Sequence, residues 1–146
     1  MKSLWGKLGV ILIGLAIFGY GEVWGADWKH FSSTDLYECF YYAEGMTRYT
    51  DITGGPPKNI ARVWIKLEYT EKGIDGMVKK FGKEYENLSY SIYLKEINCV
   101  EKTDHHLSMT HYDNKGGVIY FSSSFSKWDF IAPETMGESL YKEVCK

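Results

Sequence analysis

The chain has 146 residues, with 17 Lys and Arg against 19 Asp and Glu and a formal net charge of −2. That length carries one domain with one core. The charge balance excludes the basic footprint of a nucleic-acid binder, and no run of like charge marks a tail. Aromatic residues make up 16% of the chain, tyrosine leading with 12, a composition suited to half-covered sheet faces and contact surfaces.

The first residues read as a secretory leader. Lys2 and Lys7 give a positive start, Leu8 to Tyr20 is apolar apart from its glycines, and Val23-Trp24-Gly25 supplies a cleavage site. The apolar core is about 13 residues where a membrane span needs roughly 20. Cleavage after Gly25 or Ala26 is expected, leaving residues 26–146 as a single exported domain with no integral membrane span. Three cysteines remain, Cys39, Cys99 and Cys145, and export makes pairing the default.

In chain order, Asp27 to Phe31 alternates and predicts a first strand. Ser32 to Asp35 is a turn cluster, and Leu36 to Tyr42 returns as a second strand with Tyr37, Cys39 and Tyr41 on one face. Glu44 to Asn59, with Thr53-Gly54-Gly55-Pro56-Pro57, reads as a surface loop. Ile60 to Tyr69 is a strong strand, its Val63, Ile65 and Leu67 facing a core and its Arg62, Trp64, Lys66 and Glu68 facing outward.

The period then changes. Ile74, Met77, Val78, Phe81, Tyr85 and Leu88 form one stripe of a helix over 74–88, which needs a sheet to pack on because Gly76 and Gly82 weaken it. Tyr90 to Cys99, His105 to Tyr112 and Val118 to Phe121 read as three closing strands, with a tight turn at Asn114 to Gly117. Trp128 to Ile131 re-enters the fold. After Pro133, Thr135 and Glu138 match a capping box ahead of a last helix with Met136, Leu140 and Val144 on its apolar stripe. The expected fold class is therefore α+β: an antiparallel sheet of about six strands, one helix packed on it, and a C-terminal helix tied back by a disulfide. Cys99 ends a strand and Cys145 ends that helix, so this layout favours their pairing. Cys39–Cys99 and Cys39–Cys145 stay open on spacing alone.

No catalytic or cofactor constellation stands out. There is no CxxC, no CxxCH, no Gly-x-Ser-x-Gly elbow and no phosphate cradle. His105 and His106 are neighbours and should point to opposite faces of a strand. His105 and His111 would lie roughly 20 Å apart along it, too far to share an ion. His30 could join only through a bend. Glu134, Glu138 and Glu143 are explained by capping and solvation of the last helix. The expectation is no enzyme, no metal and no cofactor, with Cys39 a thiol buried between aromatic strands.

With these residues laid out, the chain resembles the small exported proteins grouped with surface-adhesin protein E of Gram-negative bacteria. The resemblance rests on the leader, Trp28, the strand Arg62 to Lys66, Asn98-Cys99, the Tyr112-Asp113-x-x-Gly116 turn, Trp128 before Pro133, Gly137-Glu138 and Val144-Cys145. It implies an antiparallel sheet with helices packed against it, a disulfide joining Cys99 to Cys145, an envelope or surface location, and adhesion to host proteins. Cys39 and the Gly54 to Pro57 loop depart from the pattern, and Cys39 is a candidate for bridging between chains. The leading reading is a non-catalytic exported binding domain, adhesin-like, that meets a host or envelope protein through its tyrosine-rich strands or the Glu44 to Asn59 loop. The alternative is a periplasmic domain that binds a small ligand, or blocks a partner, through a pocket between sheet and helix.

Overall fold

A computed structural model describes residues 27–146; the leader expected over 1–25 lies outside the described residues. Eight strands and two helices follow one another as β1 (Trp28–Ser33), β2 (Tyr37–Tyr42), β3 (Thr47–Asp51), β4 (Lys58–Tyr69), α1 (Glu71–Phe81), β5 (Leu88–Asn98), β6 (Thr103–Asp113), β7 (Val118–Ser122), β8 (Asp129–Phe130) and α2 (Met136–Val144). All pairings are antiparallel, in the order β1-β2-β4-β5-β6-β7, with β3 beside β4 and β8 beside β6. The sheet is richer than the sequence predicts by β3 and β8.

The long strands β4, β5 and β6 form the centre because their alternation is unbroken by Gly or Pro. Val63, Ile65 and Leu67 project to one face of β4 and join Cys39, Tyr41, Ile97 and Ile131 in the core. Leu140 and Val144 of α2 close the same cluster, so α2 covers the β1–β2–β4 side of that inner face. Burying side chains of this size contributes about 1.5–3 kcal/mol each before entropy is counted.

Three expectations change. The stretch Glu44 to Asn59 is not all loop: Thr47 to Asp51 pairs with Lys58 to Arg62, leaving 44–46 and 52–57 outside the strands. Its alternating Thr, Tyr and Thr suit a strand, and the Arg48 guanidinium donates to the Val144 carbonyl at the end of α2. The helix expected over 74–88 ends at Phe81. Gly82 takes φ +117°, where an L side chain is strained, a short 3-10 turn Lys83–Tyr85 follows, and Leu88 already begins β5. The apolar stripe is continuous in sequence because Tyr85 and Leu88 tuck inward from the turn and the strand. The capping box of α2 is displaced by one residue. Thr135 Oγ1 accepts from Glu138 N at 3.3 Å, but the Glu138 carboxylate accepts from Glu134 N at 2.9 Å instead of from Thr135 N. The Lys102 ammonium holds its other oxygen at 2.8 Å, and together they bring the Glu138 pKa down to about 2.

The start of α1 is fixed tightly. Thr70 caps it, accepting from Gly73 N at 3.1 Å while donating to Asp35 O at 2.8 Å in the β1–β2 turn. A Cβ on Gly73 would sit 2.1 Å from the Leu36 carbonyl oxygen, so only glycine lets the helix approach there. Beyond that anchor α1 leans away from the sheet, and Phe81 is 47% exposed.

Cys99 and Cys145 form a disulfide with Cα atoms 5.5 Å apart, joining the end of β5 to the end of α2. Tyr141 Oη adds a hydrogen bond to the Cys99 carbonyl at 3.0 Å. With a sequence separation of 46, the bridge stabilises by about 4 kcal/mol in the loop-closure account. Cys99→Ser should therefore lower the denaturant midpoint sharply in oxidising buffer and abolish the difference between oxidised and reduced protein. Equal midpoints for variant and wild type would contradict this role.

Candidate functional site

One extra residue in β6 divides the two sides of the sheet. Leu94 pairs with Ser108 and Lys95 with His106, so Leu107 has no partner across the ladder and forms a bulge. Before it, His105 points outward and His106 inward; after it, Met109 and His111 also point inward, where an unbulged ladder would have turned His106 outward. Plain alternation would place His106 and His111 on opposite faces, since five positions separate them.

On the inner face a cavity of about 680 Å³ opens between the sheet, from Tyr37 of β2 and the end of β4 across β5, β6 and β7, and α1 with its following turn. Ile65, Leu67, Met77, Phe81, Met109 and Met136 supply an apolar wall. Tyr37, Tyr69, Tyr85, Tyr93 and Tyr120 add aromatic surface. Ser91 Oγ donates to Tyr69 Oη at 3.1 Å, and burial, with the Tyr69 hydroxyl close by, pushes the Tyr93 phenol well above its ordinary range.

Two polar groups in this cavity are only partly satisfied. Lys95, 5% exposed, pairs with Asp104 at 2.5 Å. His111, 4% exposed, has no hydrogen-bond partner at either ring nitrogen among the described residues; its ring meets Tyr85 and Tyr120 edge-on at 5.6 and 5.7 Å. Burial lowers the pKa of His111, and burial followed by the Lys95 charge lowers that of His106, so both rings are held neutral.

On the outer face Glu96 is the hub. It is 5% exposed, and it accepts from Tyr49 Oη at 2.7 Å, from Arg62 at 2.7 and 2.9 Å, and bonds the His105 ring at 2.8 Å. Burial alone would raise its pKa, but these hydrogen bonds outweigh it and hold the carboxyl ionised. His105 stacks on Trp128 at 4.0 Å, which pins the segment leading into β8. This cluster is saturated and holds elements together, with no open position for chemistry.

His30 bonds Glu38 at 2.8 Å at the opposite sheet edge, away from the other histidines. Among the described residues no three His, Cys, Asp or Glu side chains converge as metal ligands would. Cys39 is a free, fully buried thiol whose pKa burial pushes up to about 11, with Glu38 adding to the effect. The bridge between chains for which Cys39 was a candidate does not fit that burial, because the sulfur cannot be reached in the folded state. Cys99 and Cys145 do not line the cavity. The Lys95–Asp104 pair is the feature sequence reading passes over. Its signal is a lysine at an inward position of β5, two residues after Tyr93 and two before Ile97.

The neutral histidines carry a pH dependence. Their folded pKa values lie below the unfolded value of about 6.5, so the unfolded chain binds more protons once the pH falls below it. Stability should therefore be full above that value and decline as pH falls through the folded pKa values. Urea midpoints measured between pH 7.5 and 5 should drop, and His111→Phe should flatten the drop. A midpoint indifferent to pH in this window would contradict the burial of these rings in the neutral form.

Comparison with known proteins identifies a family. No curated protein and no solved structure matches the chain. The model of the surface-adhesin protein E family matches residues 31–146, nearly all of the described chain. The chain belongs to the surface-adhesin protein E family.

Proposed function

We propose that this chain is an exported, non-catalytic binding domain that attaches to a protein partner through the uncovered outer face of its sheet. Both helices lie against the face bearing Val63, Ile65 and Leu67. The opposite face carries Trp28, Phe40, Trp64, Tyr90, Tyr112 and Phe121 with no described element over it, and that is the observation behind the reading. Trp64 is 37% and Phe121 61% exposed, and Tyr90 stacks on Tyr112 at 4.7 Å. Lys66 lies over the Trp28 and Phe40 rings at 5.3 and 5.0 Å.

A flat surface of stacked Tyr and Trp with Lys and Arg between them matches the residues that dominate protein–protein binding energy. Rigid aromatics lose little entropy on contact, and the sheet holds them in place before the partner arrives. Family membership supports adhesion to host or envelope proteins, and the disulfide supports an oxidising compartment at the envelope or cell surface. No helix among the described residues is long and apolar enough to cross a membrane.

The test is adhesion of cells carrying the protein to host epithelial monolayers, with protease shaving of intact cells in parallel. Trp64→Ala combined with Tyr90→Ala should cut adhesion about tenfold or more, as loss of central aromatic anchors does, while the melting temperature stays close to wild type. Full adhesion by the double variant, or protection of the wild-type domain from protease until the outer membrane is opened, would contradict this reading.

A further inference from the structure

The inner face carries a second site, independent of the outer one. Two cross-strand pairs line the cavity, Tyr93 opposite Met109 and Lys95 opposite His106, and His111, opposite Ser91, joins them. The Leu107 bulge sets this arrangement. Without it Lys95 would face Leu107, and the imidazole of His106 would lie on the outer side.

The Lys95–His106 pair forms a polar end. A lysine ammonium has three N–H donors, and Lys95 uses one, to Asp104. The other two have no acceptor among the described residues, and the His106 ring forms no hydrogen bond there either, although it packs against Tyr93 at 5.6 Å. Buried donors without acceptors are costly, so this end is complementary to a ligand oxygen. It is also neutral as a unit. Asp104 already cancels the Lys95 charge, and burial keeps His106 uncharged. A full charge placed beside it would be desolvated without compensation.

Apart from Glu84, which is exposed to solvent, the remainder of the cavity suits hydrocarbon. Met77, Met109 and Met136 are three of the five methionines of the chain. Their unbranched, polarizable side chains repack around guests of varied shape. A volume of about 680 Å³ lies within the range of small-molecule sites. The helix leaves that room because it is pinned at Gly73 and followed by the buried Tyr85 of the next turn, with Met77 and Phe81 as the helix side chains that line the cavity. His111, buried with both ring nitrogens unpartnered among the described residues, adds a third unmet polar group to the lining.

We propose that this cavity binds a neutral, single-chain amphiphile, an acyl amide or ester, with its carbonyl oxygen at Lys95 and His106 and its alkyl chain along Met109, Met77 and Phe81. Binding is non-covalent, and the bulge makes the site specific by holding donor and apolar wall on one face.

The experiment is a titration of the purified protein with N-methyldecanamide, below the concentration at which it aggregates, read by the methionine methyl resonances. Saturable shifts of Met77, Met109 and Met136, with Met46 unmoved, are expected. Decanoate and decyltrimethylammonium should bind at least tenfold more weakly. Lys95→Met combined with Asp104→Leu removes both polar partners together, which keeps the strand pair apolar and folded, and should weaken binding about tenfold or more. Should that variant fail to fold, Met77→Trp, which fills the cavity from the helix side, should abolish binding. No saturable shift, equal movement of Met46, a preference for decanoate, or undiminished binding by these folded variants would overturn the proposal.

Discussion

The unpaired Leu107 in β6 is the constraint on which both sides of this sheet depend. A strand gives each neighbouring residue to alternate faces, so a single inserted residue reverses every assignment beyond it. Here the reversal falls between two adjacent histidines and the rest of the strand. His105 goes outward to Glu96 and Trp128, where it anchors the run into β8. His106 goes inward beside Tyr93 and Lys95, in line with Met109 and His111. The same insertion places Lys95 opposite an imidazole instead of opposite a leucine.

Around this ladder the helices cover one face incompletely. α2 is sealed by Leu140, Val144, the Cys99–Cys145 bridge and the Arg48 bond to the Val144 carbonyl. α1 is held at its start by Gly73 and through Tyr85 of the turn that follows it, with open space beneath the helix between them. The consequence is a domain with a tight core on one side of the inner face and a cavity on the other, while the outer face stays bare. Packing and function divide along the same line. The saturated cluster at Glu96 and the disulfide hold the shape, and the aromatic outer face and the partly satisfied cavity are what remain available to other molecules.

Much of the frame was legible in the chain. Period-two runs gave β1, β2 and β4 to β7, and the apolar stripe of the last helix gave α2, because these segments bury one face each and their patterns follow that burial. The strand β3 was hidden by the Gly-Gly-Pro-Pro turn beside it, whose composition dominates a reading by windows. The end of α1 was hidden because Tyr85 and Leu88 keep the helical spacing while a left-handed Gly82 breaks the helix. A pocket between sheet and helix was expected only as the alternative reading, and its polar end was not legible. It requires the bulge, and nothing in Leu94, Lys95, His106 or Leu107 announces that one residue will be left out of the ladder; only the inward lysine hinted that the face is not purely apolar.

The most direct measurement is a set of nuclear Overhauser contacts from the two adjacent histidine rings in solution. The bulge predicts His105 ring protons close to the Trp128 indole and His106 ring protons close to the Tyr93 ring, with no cross-contact between His106 and Trp128. Contacts from His106 to Trp128, or from His105 to Tyr93, would mean an unbulged strand. The division of the sheet into a bare outer face and a polar-ended cavity would then be wrong.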